Sequence, residues 1–172
     1  MTEFETPPAG VTSPLTEEGR GTFAAMDLDP AVKRALDEMG YEVPMEVQTA
    51  IYDRVRAGGD LMVQSRTGSG KTAAFGIPLA QMLSPEIRGV QALILAPTRE
   101  LALQISQEVG RICGYRNLDV VPVYGGAPMG RQIEGLKAGA AIVAGTPGRV
   151  LDHIRRRTFA TDKVRILILD EC

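Results

Sequence analysis

Apolar residues are thinly scattered over 1–21 (MTEFETPPAGVTSPLTEEGRG), among Pro, Thr, Glu and Gly. They are too few to offset the entropy of ordering the segment, which is expected to be a disordered tail. From Phe23 onward, short apolar runs alternate with stretches of helical spacing. Val32, Leu36 and Met39 share one helical face; Asp29 is placed to cap that helix, Pro30 to open it and Gly40 to close it. A second helix is expected from Pro44 to Gly58. Five apolar runs of strand length follow: Leu61–Gln64, Ala92–Ala96, Val120–Tyr124, Ala141–Ala144 and Arg165–Leu169. Each is largely apolar instead of alternating, as in strands buried on both faces of a parallel sheet. Helices are expected between them at roughly 70–83, 98–113, 128–138 and 147–157. Pro78 falls inside the first of these and is expected to kink it or to end it near Ile77. The order β, α, β, α predicts an α/β fold, a three-layer sandwich about a parallel sheet and one domain over 22–172. Ligands of such sheets bind outside the C-terminal ends of the strands, so the chemistry should sit there.

Composition narrows the picture. With 172 residues, 44% hydrophobic and 23% charged, the chain has room for one sizeable core. Its net charge of -2 supplies no global positive field, so any contact with nucleic acid must be local. Cys113 and Cys172 form no Cys-x-x-Cys pair, which argues against a zinc site or a disulfide framework and fits a reducing cytoplasm. The acidic, Pro-rich start is unlike a signal peptide, and no apolar run approaches the ~18 residues of a membrane span, so no membrane partner is expected. Arg155–Arg157 read as solvated cations at a helix end, favoured there by the dipole. His153, the single histidine, has no evident partner in the sequence and receives no catalytic role.

The densest chemistry lies in SRTGSGKT, residues 65–72. After the run LMVQ, Gly68 and Gly70 let the backbone of Ser65, Thr67, Gly68, Ser69 and Gly70 wrap a phosphate closely. The amides and dipole of the following helix favour the anion. Lys71 is placed to neutralise the outer phosphates of a nucleoside triphosphate, and the Thr72 hydroxyl to ligate Mg²⁺. Ser65 stands where the pattern G-x-x-x-x-G-K-[ST] has glycine. Far along the chain, the run ending at Leu169 leads into Asp170 and Glu171, at a strand end facing this loop across the sheet. Asp170 is expected to hold the Mg²⁺ and Glu171 to orient or deprotonate the attacking water.

Further segments, PTRELA (Pro97–Ala102), Gly125-Gly126, TPGR (Thr146–Arg149) and an upstream set of Phe23, Gly40-Tyr41, Pro44 and Gln48, complete a pattern that resembles the DEAD-box RNA helicases from Phe23 to the last residue. The resemblance implies a RecA-like P-loop domain binding ATP and Mg²⁺. It implies that Phe23 and Tyr41 belong to the adenine site and that Gln48 reads the base edge, for which an amide offers both a donor and an acceptor. It implies that Pro97, Thr98, Arg99, Gly125, Gly126, Thr146, Pro147, Gly148 and Arg149 line the RNA path. Glycine pairs admit backbone amides to phosphates, and Thr98 and Thr146 stand at expected helix N-termini, so the grip would be on the sugar-phosphate track without reading sequence.

The acidic run reads Asp170-Glu171-Cys172, with Cys in the third place where the family name has Ala, and no fourth residue. The family's Ser-Ala-Thr motif and second helicase domain lie beyond this point. By resemblance, the strand leading to Ser-Ala-Thr separates the phosphate-loop strand from the acidic strand. The sheet is therefore expected to carry a gap, leaving the isolated chain poorly folded or dependent on a partner segment. A terminal carboxylate beside Glu171 could also disturb the metal site. The leading expectation is the N-terminal part of an ATP-dependent RNA helicase, coupling hydrolysis to RNA unwinding in the intact protein. A non-catalytic ATP- or RNA-binding module or a nonfunctional gene fragment is the alternative, while a small-molecule kinase accounts for neither Gln48 nor TPGR.

Overall fold

The computed structural model describes residues 22–66 and 68–171. The expected tail over 1–21, Thr67 and Cys172 lie outside the described residues.

Among the described residues, six helices and four strands alternate much as the sequence pattern requires. Helix α1 (Pro30–Glu38) opens where Asp29 accepts a hydrogen bond from the Ala31 amide at 2.8 Å, and Gly40 follows it at φ +77°. Helix α2 (Glu46–Ala57) starts two residues after Pro44, because Met45 is still extended and serves as the N-cap. Next come α3 (Lys71–Met82), β1 (Ala92–Leu95), α4 (Arg99–Cys113), a single 3₁₀ turn (Gly114–Arg116), β2 (Val120–Val123), α5 (Met129–Ala138), β3 (Ile142–Gly145), α6 (Pro147–Arg155) and β4 (Ile166–Leu169). Arg116 ties this frame together. It donates to the Ala80 and Leu83 carbonyls at the end of α3 and pairs with Asp29 at 2.7 Å.

All pairings in the sheet are parallel, in the order β2-β3-β1-β4. Alternate side chains leave on opposite faces. Ala92, Ile94, Ile142 and Ala144 join the larger core with α1 to α4, where Leu36, Ile77, Leu79, Ile105 and Ile112 are all but inaccessible. Each such side chain contributes about 1.5–3 kcal/mol on leaving water. Leu93, Val123 and Val143 face the other way, into a smaller core closed by Val150 of α6 and Phe159. The result is the three-layer α/β sandwich.

Three expectations change. Leu61–Gln64 forms no strand: Leu61, Met62 and Val63 are 43%, 95% and 39% exposed, and none of the four strands pairs with them. A parallel strand is held only by a neighbour's hydrogen bonds, and 61–64 pairs with neither edge of the sheet, which ends at β2 on one side and β4 on the other. The same edge explains the second change. β4 is not buried on both faces: Ile166 and Ile168 pack on the larger core, whereas Leu167 and Leu169 are 58% and 54% exposed. The third concerns Pro78, past which α3 continues to Met82. Ile77, Pro78, Leu79 and Ala80 are all buried, and that packing outweighs the one hydrogen bond that proline removes from the helix.

Candidate ATP and RNA-backbone site

The phosphate loop leads straight into α3. Gly68 and Gly70 have φ of +78° and +80°, the left-handed region that favours glycine. At Gly70 there is also no room: an added Cβ would stand 2.5 Å from Gln48 Nε2 and 2.8 Å from Met45 Sδ. Gly70 is the N-cap of α3 and no side chain caps it, so the first-turn amides remain for an anion. Ser65 Oγ and Ser69 Oγ lie 2.7 Å apart across the loop, and Lys71 Nζ donates to the Ser65 and Arg66 carbonyls at 3.1 Å each. Ser65 in the glycine position thus serves as a cross-brace.

Gln48 is 2% exposed, not a solvent-facing reader. Its Oε1 accepts from the Met45 amide at 2.9 Å, and its Nε2 donates to the Gly70 carbonyl at 3.3 Å. One side chain therefore fastens the start of α2 to the start of α3. Phe23 is 5% exposed and packs edge-on against Tyr41, ring centroids 6.1 Å apart, so it lies in the core without an open face for a base. Tyr41 is half-buried and donates to Glu108 at 3.0 Å; burial, then the Glu108 charge, pushes its hydroxyl up to about 12.

Asp170 continues β4, its amide donating to the Leu95 carbonyl at 2.9 Å. Burial raises its carboxyl above the ordinary range, the Glu171 charge raises it further, and Lys71 pulls it down. The Lys71 charge thus acts on the acidic strand end. Glu171 is exposed and takes φ +53°, turning the chain away from the strand. Thr72 is half-buried in the first turn of α3. Thr72 and Asp170 both offer oxygen donors, the hard chemistry Mg²⁺ requires. The residues present fit an anion beside a divalent cation.

The remaining motifs sit on three adjacent strand ends. After β1, the Thr98 side chain accepts from the Leu101 amide at 3.2 Å and caps α4; Pro97 and Arg99 are exposed, and Arg99 pairs with Glu100. After β2, Gly125 and Gly126 are exposed and Gly126 has φ +85°. A Cβ on Gly126 would meet Arg99 Nη1 at 3.9 Å, so these two motifs are neighbours. After β3, Thr146 is the N-cap of α6 without a side-chain cap bond, Pro147 and Gly148 are exposed, and Arg149 donates to the Ala127 carbonyl at 3.0 Å. Gly145 permits this closeness: a Cβ there would stand 2.6 Å from the Val123 carbonyl oxygen.

A model of the DEAD/DEAH box helicase family matches residues 45–172. The chain belongs to that family. Its curated relatives include the ATP-dependent RNA helicase DeaD of Mycobacterium tuberculosis, 44% identical over 151 residues, 87% of this chain and 27% of that protein. The DEAD-box ATP-dependent RNA helicase CshA of Bacillus subtilis is 43% identical over 150 residues, 87% of this chain and 30% of that one. Among solved structures, a DEAD box protein from Methanococcus jannaschii superposes with a TM-score of 0.80 at 40% identity, covering 86% of this chain and 40% of its own. A hypothetical ATP-dependent RNA helicase from Sulfolobus tokodaii gives 0.75 at 34% identity, covering 83% and 41%. The fold is therefore that of the RecA-like domain of DEAD-box proteins. The chain spans less than a third of the length of these curated relatives.

Two residues that sequence reasoning passed over belong to this site's frame. His153 is fully buried and bonded through both ring nitrogens, to Thr158 at 2.9 Å and to Gln132 at 3.0 Å. Gln132 is the buried residue of α5. His153 lies four residues after Arg149, on the same face of α6, but its partner Gln132 is 21 positions away.

Proposed function

We propose that this chain is the ATP- and RNA-backbone-binding domain of an ATP-dependent RNA helicase, which couples ATP hydrolysis to RNA unwinding in the intact protein. What carries the reading is the order of the motifs at the C-terminal ends of the strands: Gly125-Gly126, Thr146–Arg149, Thr98-Arg99 and Asp170-Glu171, with the charge of Lys71 from the phosphate loop acting on Asp170.

In this reading, the amides of Gly68 to Thr72 receive the phosphates and Lys71 exchanges the Ser65 and Arg66 carbonyls for the outer phosphate oxygens. Thr72 and Asp170 would hold Mg²⁺, which when bound would neutralise charge on the outer phosphates. Glu171 orients the attacking water. Gln48 can meet an adenine edge only by leaving the Met45 amide and the Gly70 carbonyl, so recognising the base loosens the loop that holds the phosphates. The three further strand ends grip the RNA backbone through amides and through Arg99 and Arg149, a local cationic track on an acidic protein. A cytoplasmic location belongs to the same proposal, compatible with Cys113 being a free, buried thiol.

The test is RNA-stimulated ATP hydrolysis by the full protein and its Lys71→Ala variant. Stimulation by single-stranded RNA of any sequence is expected, with a loss of about a hundredfold or more in the variant. Hydrolysis indifferent to RNA would leave only a nucleotide-binding module, and hydrolysis surviving Lys71→Ala would remove the phosphate-loop assignment.

A further inference from the structure

Helix α6 holds the 124–127 turn at both ends. Arg149 donates to the Ala127 carbonyl at 3.0 Å. One helical turn later, His153 reaches the other end through an intermediary: its Nε2 lies 3.0 Å from Gln132 Oε1, and Gln132 Nε2 donates to the Tyr124 carbonyl at 3.1 Å. That carbonyl immediately precedes Gly125. His153 and Gln132 are 0% and 4% exposed, and a buried polar chain of this kind costs stability wherever a member is unpaired.

The hydrogen-bond roles are fixed by elimination. Gln132 uses its N–H₂ on Tyr124, so its Oε1 must accept, and His153 Nε2 must carry the proton. Burial, reinforced by the Arg149 charge, lowers the His153 pKa; Nδ1 lies 2.9 Å from the Thr158 hydroxyl, which itself donates to the His153 carbonyl at 3.1 Å. The end of α6 supplies that hydroxyl. Thr158 and Arg157 donate their amides to the His153 and Ile154 carbonyls, a Schellman closure that folds Thr158 back over the ring.

We infer that His153 and Gln132 are positioning residues for RNA-backbone binding: they hold the glycine pair after β2 in register with the N-terminus of α6, so that both present their amides to one phosphate track. This rests on the RNA reading above. The two glycines have no side chains to fix themselves and are exposed, so the Gln132 bond to the Tyr124 carbonyl restrains the end of the turn that leads into them.

Three variants in the full chain separate positioning from packing. His153→Asn keeps a polar atom near the Nδ1 position and loses the reach to Gln132; His153→Gln keeps a donor near the Nε2 position; Gln132→Met keeps shape and loses both bonds. Amide exchange at Gly125, Gly126 and Ala127 is expected to speed up about five- to tenfold in His153→Asn and Gln132→Met and to remain near wild type in His153→Gln, with β1 and β3 amides unchanged throughout. Oligouridylate affinity is expected to fall by a similar factor in the first two variants, with ATP affinity unaltered. Equal behaviour of the Asn and Gln variants, or loosening spread evenly through the core, would overturn the inference. Wild-type protein that fails to bind oligouridylate would instead overturn the RNA reading, while the exchange pattern would still decide whether the link holds the turn.

Discussion

At the scale of single residues, this site is built from side chains whose polar groups are already engaged with the protein's own backbone. Lys71 bonds loop carbonyls, Gln48 bonds an amide and a carbonyl, and Arg149 bonds Ala127. Asp170 differs, because burial and Glu171 act against its charge more than Lys71 relieves it. The sign of the resulting pH dependence follows. Its folded-state pKa lies above the ordinary 3.8, so between those values the native chain binds more protons than the unfolded one. Stability from this group is thus fullest below pH 3.8 and declines as pH rises through the folded value. Asp170→Asn is expected to be more stable than wild type near neutral pH, with the difference vanishing toward pH 3.8 in metal-free urea titrations. A variant less stable than wild type at neutral pH would show that Asp170 is held by contacts that favour its charge.

At the scale of elements, most boundaries were legible because their causes are local. Asp29-Pro30 opens α1, Thr98 caps α4, and Gly40, Gly58 and Gly139 follow α1, α2 and α5 in the left-handed region. What was not legible depended on partners distant in sequence. LMVQ at 61–64 reads as a strand by its side chains, but strand formation is decided by the neighbouring backbone. Pro78 reads as a kink or a helix end, and the end is overridden by a core its own neighbours do not reveal. The phosphate loop, the acids and the three strand-end motifs could be placed from sequence, since each is contiguous; the buried roles of Gln48 and His153 could not, since their partners lie up to 22 positions away. One element end still carries a mismatch. Arg157 occupies the C′ position of the α6 closure at φ +57°, where a Cβ is costly. Arg157→Gly is expected to raise stability by about 0.5–1 kcal/mol, visible as a melting temperature about 1–4 °C higher. An unchanged or lower melting temperature would mean that the arginine side chain stabilises the helix end by as much as its backbone strains it.

At the scale of the whole molecule, the four-stranded sheet is well covered on its two central strands, β3 and β1, partly covered on β2 and open on β4. Both layers close over β1 and β3, whereas on β4 only Ile166 and Ile168 find the core. Leu167 and Leu169 are more than half exposed, and Leu61, Met62 and Val63 add a second apolar surface near the phosphate loop. A strand at a sheet edge with an apolar exposed face is a template for pairing with another copy of itself. The isolated 172-residue chain is therefore expected to associate in a concentration-dependent way, with light scattering rising into the micromolar range. Leu167→Lys places a charge on that face without touching the buried side of β4. It should cut the association markedly while changing unfolding free energy by no more than about 0.5 kcal/mol, since the side chain it replaces is 58% exposed. If the lysine variant associated as strongly as wild type, the adhesive surface would lie elsewhere, and the same substitution strategy at Met62, 95% exposed, would identify the 61–63 segment as the source.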